Sequence, residues 1–136
     1  MKFTHLAIVA LAAVVIGCAS LSAERFVSVE TTSDSITAAA AVDLFHTAVG
    51  TLGLVEKDPK HDPRTPNFFE YSAETAEMRL HLMVNGSDIE FISTVYGKQE
   101  DLVRAERAAN IIESALDKLG AKYKVRKGRD PMFWGS

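Results

Sequence analysis

Between Glu77 and Tyr96 the chain runs twice through an alternation of apolar and polar residues, with Asn85-Gly86 between the two runs. This stretch restricts the fold more than any other. Met78, Leu80, Leu82 and Val84 alternate with Glu77, Arg79, His81 and Met83, and beyond the turn Ile89, Phe91, Ser93 and Val95 alternate with Glu90, Ile92, Thr94 and Tyr96. A period of two sends each set to its own face of a strand. Two such runs around Asn-Gly predict an antiparallel hairpin with one buried face, because a type I′ turn needs positive φ at both central residues. If Asn85 and Gly86 are the turn, paired positions sum to 171, so that Leu82 meets Ile89 and His81 meets Glu90. A four-residue loop, Asn85 to Asp88, shifts the sum to 173. Apolar residues face apolar ones in either register.

Two helices flank this hairpin in sequence. After a predicted first strand, Glu24 to Thr32, the residues Ser33, Asp34 and Ser35 offer N-cap oxygens. The helix that follows gathers Ala38, Ala41, Val42, Phe45, Ala48, Val49 and Leu52 on one face and stops at Gly53. The second helix, Gln99 to Leu119, carries the stripe Leu102, Ala105, Ala108, Ala109, Ile112, Ala115, Leu116 and Leu119, with Glu100 and Arg104 as a supporting pair. Between the first helix and the hairpin, Glu56 to Pro66 holds three prolines and reads as an exposed loop. Asn67 to Ala73 reads as a strand with Phe69 and Tyr71 on one side, and Ala121 to Arg126 as a last, lysine-bearing edge strand. The predicted order is β-α-β-β-β-β-α-β. Such an order fits an α+β two-layer sandwich, a mainly antiparallel sheet with both helices on one face, similar to an elaborated ferredoxin-like plan. In that plan the last strand lies beside the first. The element order is also similar to that of lipopolysaccharide-assembly lipoproteins, a likeness from which no function is carried over.

The N-terminus adds a different constraint. Lys2 is followed by the eleven-residue apolar run Leu6 to Ile16, too short for the roughly 20 residues a membrane-spanning helix needs. It has the layout of a secretory leader. Val15-Ile16-Gly17-Cys18 resembles the lipobox of bacterial lipoproteins. That resemblance implies cleavage before Cys18, a diacylglycerol on its sulfur and an acyl chain such as palmitate on its new amino group. It divides the chain into a signal peptide (1–17), a lipidated cysteine with a short tether (18–23) and a single α+β domain (24–136). Ala19 stands where aspartate would hold such a protein at the inner membrane, so the resemblance points to the outer membrane and a periplasm-facing domain. Several acyl chains, each buried methylene contributing about 0.8 kcal/mol, make a stable anchor where one is marginal.

Cys18 is the only cysteine, so an exported domain of this size must be held together by apolar packing, without disulfides, cysteine nucleophiles or cysteine zinc sites. From Ala19 to Ala121 there are 9 basic and 17 acidic residues, a net of −8, and from Lys122 to Ser136 there are 5 basic and 1 acidic, a net of +4. An acidic body argues against nucleic acid as a partner. The local positive charge makes Lys122, Lys124, Arg126, Lys127 and Arg129, with Phe133 and Trp134, candidates for contact with an anionic surface. The competing expectation is a protected strand edge followed by a tail that folds back over apolar surface. His81 facing Glu90 could form half of an acid-base pair, and His61 with Asp58 and Asp62 could hold a metal. Ordinary cross-strand charge pairing and a solvated loop account for both more simply. No motif calls for a cofactor, a metal or a catalytic residue. The expectation is a lipid-anchored envelope protein whose domain binds or builds without catalysis, engaging an envelope protein or polymer, with the sheet face of Met83, Ile92 and Tyr96 as contact surface. The alternatives are an accessory for lipid or lipopolysaccharide assembly and, more remotely, a small hydrolase or metal-dependent enzyme.

Overall fold

The computed structural model describes residues 24–96 and 102–128. Cys18, the tether, Glu100, Arg129, Phe133 and Trp134 lie outside them. The elements run β1 (Glu24–Thr32), α1 (Ala38–Leu52), β2 (Val55–Glu56), β3 (Phe68–Glu74), β4 (Met78–Asn85), β5 (Asp88–Tyr96), α2 (Leu102–Lys118) and β6 (Lys124–Gly128). The six strands form one antiparallel sheet in the order β2-β3-β4-β5-β1-β6. This is the expected α+β architecture, and the last strand lies beside the first, Phe26 opposite Gly128. Among the described residues no helix is long and apolar enough to cross a membrane.

The alternation in the hairpin becomes the floor of the core. Leu80, Leu82, Ile89, Phe91 and Val95 are all within 1% of complete burial. They meet Val27 and Val29 of β1 on the same face, and α1 and α2 cover it through Ala41, Phe45, Ala48, Ala105, Ala108, Ile112 and Leu116. Alanines at the contact let the helix axes lie close to the sheet. Leu44, absent from the expected stripe, is buried as well, whereas Ala38 is exposed.

The structure decides between the two hairpin registers and corrects three further local expectations. The hairpin takes the register summing to 173, with Asn85 opposite Asp88 and Gly86-Ser87 between them. Only Gly86 has positive φ there (60°), and no non-glycine residue does, so the turn follows the glycine-first pattern of type II′ rather than type I′. Second, the cap of α1 is Thr37, whose hydroxyl accepts from the Ala40 amide at 3.0 Å. Ser33 to Ile36 is already used in a turn, with the Ser35 and Ile36 amides donating to the Thr32 carbonyl and the Ser33 amide to Ser87. Third, Leu119 is 57% exposed, because α2 ends at Lys118 and Gly120 turns the chain at φ 68°. Fourth, β6 begins at Lys124 and reaches Gly128. Residues 121–123 are needed to bring the chain back over the sheet edge, where the Thr31 hydroxyl donates to the Lys122 carbonyl at 2.7 Å. The proline-rich loop, though exposed, is pinned to the rest: Lys60 and Glu70 exchange backbone hydrogen bonds.

Candidate functional site

Among the described residues, the polar groups singled out for chemistry or contact lie on the sheet face away from the helices, along the β6 edge, or in the proline loop. On that face the strand registers line up two rows across the sheet. The first runs Ser72, His81, Ile92, Ser28, Arg126, and the second Glu70, Met83, Glu90, Glu30, Lys124. His81 therefore stands opposite Ile92, and the expected His81–Glu90 pair does not form. A shift of two in the register sum moves each residue's cross-strand partner by two positions. Instead Glu70, diagonal to His81 across β3, lies 3.1 Å from its Nδ1. Glu90 accepts from the Ser28 hydroxyl at 2.6 Å.

His81 is 5% exposed. Burial pushes its pKa below the usual histidine value, and the Glu70 carboxylate opposes that shift without cancelling it. A neutral imidazole beside a carboxylate has the make-up of a general base, but a base needs a group to deprotonate within hydrogen-bond reach. Ser72, half-buried, stands directly opposite His81 on β3, and the buried hydroxyl in the row, Ser28, is two strands away, about 9.5 Å at ordinary strand spacing. Ser28 is also already committed to Glu90. Glu70 with His81 and Ser28 with Glu90 are two separate polar pairs.

Several other charges pair off. Arg126 sits 3.7 Å from both Glu30 and Glu90, with its guanidinium 5.6 Å from the centre of the Phe26 ring. Lys127 reaches Glu106 of α2 at 3.3 Å. Glu74 binds Arg79 at 3.1 Å and Lys57 at 3.2 Å, and Lys57 first, then Arg79, lowers its pKa. In the loop, Asp62 is held by Arg64, which lowers its pKa, and His61 stacks on Phe69 with ring centres 4.5 Å apart. Among the described residues no three His, Cys, Asp or Glu side chains are grouped as metal ligands.

Two of the basic candidates remain open. Lys122 and Lys124 are exposed and border a cleft of about 660 Å³ with Glu30, Asp34, Asp88 and Glu90. That lining carries both signs of charge. Of the expected contact surface, Ile92 is buried (0% exposed) and Met83 half-buried, so the face is not the open platform that alternation alone suggests. Sequence reasoning missed Glu70 and Ser28. Finding Glu70 required the β3–β4 register, and the intervening Thr75-Ala76-Glu77 carries no turn residue that fixes it.

The chain matches no family model, and a comparison with curated proteins finds no match. Among solved structures it is similar to part of a VAO-type flavoprotein from Myceliophthora thermophila, at 14% identity and a TM-score of 0.45, covering 80% of this chain and 16% of that one. It is also similar to part of a dinuclear metal-binding peptidase of the M20 family from Bacillus subtilis, at 18% identity and a TM-score of 0.39, covering 79% and 26%. The chain thus spans about a sixth and a quarter of those proteins. Likenesses this distant carry no functional inference.

Proposed function

We propose that the protein is a lipoprotein of the bacterial envelope, held by an acylated Cys18 in the outer membrane with its α+β domain facing the periplasm, and that the domain binds or builds rather than catalyses. The observation that carries this reading is Val15-Ile16-Gly17-Cys18 placed directly behind an eleven-residue apolar run. The start of β1 at Glu24 supports it: five residues separate Cys18 from the domain, a reach of roughly 20 Å at full extension. The domain therefore rides at the leaflet surface, where its partner is an envelope protein or polymer. The pairing of His81 with Glu70 and of Ser28 with Glu90 supports a non-catalytic role, since each polar group satisfies a neighbour. Lys122 and Lys124, exposed and without an ion-pair partner among the described residues, favour a second reading, contact with anionic lipid or lipopolysaccharide phosphates during assembly.

Intact-mass measurement of protein purified from its host, with palmitate labelling of wild type and Cys18→Ser, tests the anchor. The expected outcome is an N-terminus at an acylated Cys18, label lost in the variant, and release of the variant from membranes. A free thiol, or an N-terminus elsewhere, overturns the proposal.

A further inference from the structure

At the end of the sheet where β1 stops, the cleft of about 660 Å³ has walls of opposite sign. Asp34, in the turn before α1, and Asp88, the first residue of β5, stand on one side; Lys122, just ahead of β6, and Lys124, its first residue, stand on the other. All four are exposed, and none has an ion-pair partner among the described residues. They are kept from pairing with one another by the strand between them. Asp88 lies opposite Thr32 and Lys124 opposite Glu30, so β1 separates the walls, and two strand spacings hold their backbones about 9.5 Å apart. The backbone on each side is fixed. The Ser33 amide donates to the Ser87 carbonyl at 2.8 Å, which ties the turn carrying Asp34 to the start of β5. The Thr31 hydroxyl donates to the Lys122 carbonyl at 2.7 Å, and the Lys122 amide to the Ser35 hydroxyl at 3.4 Å. Glu30 and Glu90 also line the cleft, but both face Arg126 at 3.7 Å, which leaves the two aspartates and the two lysines as its free charges.

We infer that this cleft binds a short extended peptide by its two ends, the ammonium at Asp34 and Asp88 and the carboxylate at Lys122 and Lys124. The charges select the class of ligand. An anionic surface would be repelled by the aspartates and a simple cation by the lysines, whereas a compound with opposite charges at its two ends complements both walls at once. The spacing selects its length. A single amino acid holds its ammonium and carboxylate too close together to reach both sides, while three extended residues at about 3.3–3.6 Å each span roughly 10 Å. The volume lies within the roughly 300–1,000 Å³ of small-ligand sites. The place in the fold suits a binding domain on a tether: β1 starts at Glu24, and the cleft lies at its other end, nine residues along, roughly 27 Å from the point of attachment. The inference rests on the binding role proposed above, to whose partner it gives a chemistry, and does not depend on acylation of Cys18.

The experiment is calorimetric titration of the full chain, purified from its host in mild detergent, with trialanine, its N-acetyl form and its carboxamide. Trialanine serves as the probe because the site reads ends and not side chains. The expected result is saturable binding at millimolar concentration or below, weakened about tenfold or more when either end is blocked. Asp34→Asn with Asp88→Asn should weaken trialanine as much as acetylation does and cost the N-acetyl form nothing further. Lys122→Gln with Lys124→Gln should stand in the same relation to the carboxamide. All four positions are exposed, and a cooperative urea transition checks that each variant is folded. Absence of saturable trialanine binding, equal binding of the three probes, or unchanged affinity in either folded double variant overturns the site. Binding to phosphatidylglycerol vesicles that the lysine substitutions abolish, without affinity for trialanine, overturns it in favour of an anionic surface. The same preparation keeps this inference apart from the proposed function: an acylated Cys18 without peptide binding overturns the site alone, peptide binding by a chain with a free Cys18 thiol overturns the anchor alone, and cleavage of bound trialanine overturns the non-catalytic role alone.

Discussion

His81 makes the fold sensitive to acid in a way that can be isolated. A free histidine protonates near pH 6.5, whereas in the folded protein burial holds His81 below that value, with Glu70 opposing and Arg79 and Lys60 adding to the depression. Between the folded and unfolded pKa values the unfolded chain holds a proton that the folded chain lacks. Protons therefore pull the equilibrium toward unfolding as the pH falls through 6.5, and the effect levels off once the folded pKa is passed. One group can contribute a slope of at most about 1.4 kcal/mol per pH unit. Near the melting point a loss of 1 kcal/mol lowers Tm by about 4–8 °C in a domain of this size class. Urea unfolding of wild type and His81→Gln from pH 8 to pH 4.5 measures it. The common titration of surface carboxylates cancels in the difference, which should shrink in favour of the variant as the pH drops below 6.5. In Glu70→Gln the counteracting carboxylate is gone, His81 falls further, and the acid-sensitive window widens. Parallel curves for wild type and His81→Gln would show that the imidazole titrates alike in the folded and unfolded chain, and a difference growing in favour of the wild type below pH 6.5 would show it protonated and paired with Glu70; either result refutes the neutral-histidine reasoning.

Three other substitutions test the packing. Leu82→Ala, at a fully buried position on the core face, should cost about 2–5 kcal/mol in urea denaturation, whereas Val103→Ala, 65% exposed on α2, should stay within about 0.5 kcal/mol. Thr37→Ala removes the cap on the Ala40 amide and should cost about 1 kcal/mol, with Thr37→Ser restoring most of it in the same assay. The Thr94 hydroxyl is buried with no hydrogen-bond partner among the described residues, so Thr94→Val, nearly the same shape, should raise stability by about 1–2 kcal/mol; a loss instead would mean that the hydroxyl is satisfied.

What the sequence made legible and what it hid divide along the two faces of one sheet. The core face was readable because Leu80, Leu82, Ile89 and Phe91 have a single role, and a period of two survives any even change of register. The same insensitivity hid the polar pairing: His81 faces Glu90 or Ile92 depending on a shift that leaves every apolar contact face unchanged. The α1 boundary slipped for a related reason, since Ser33, Asp34, Ser35 and Thr37 all carry a capping oxygen and the turn that occupies Ser33 to Ile36 leaves Thr37 as the cap.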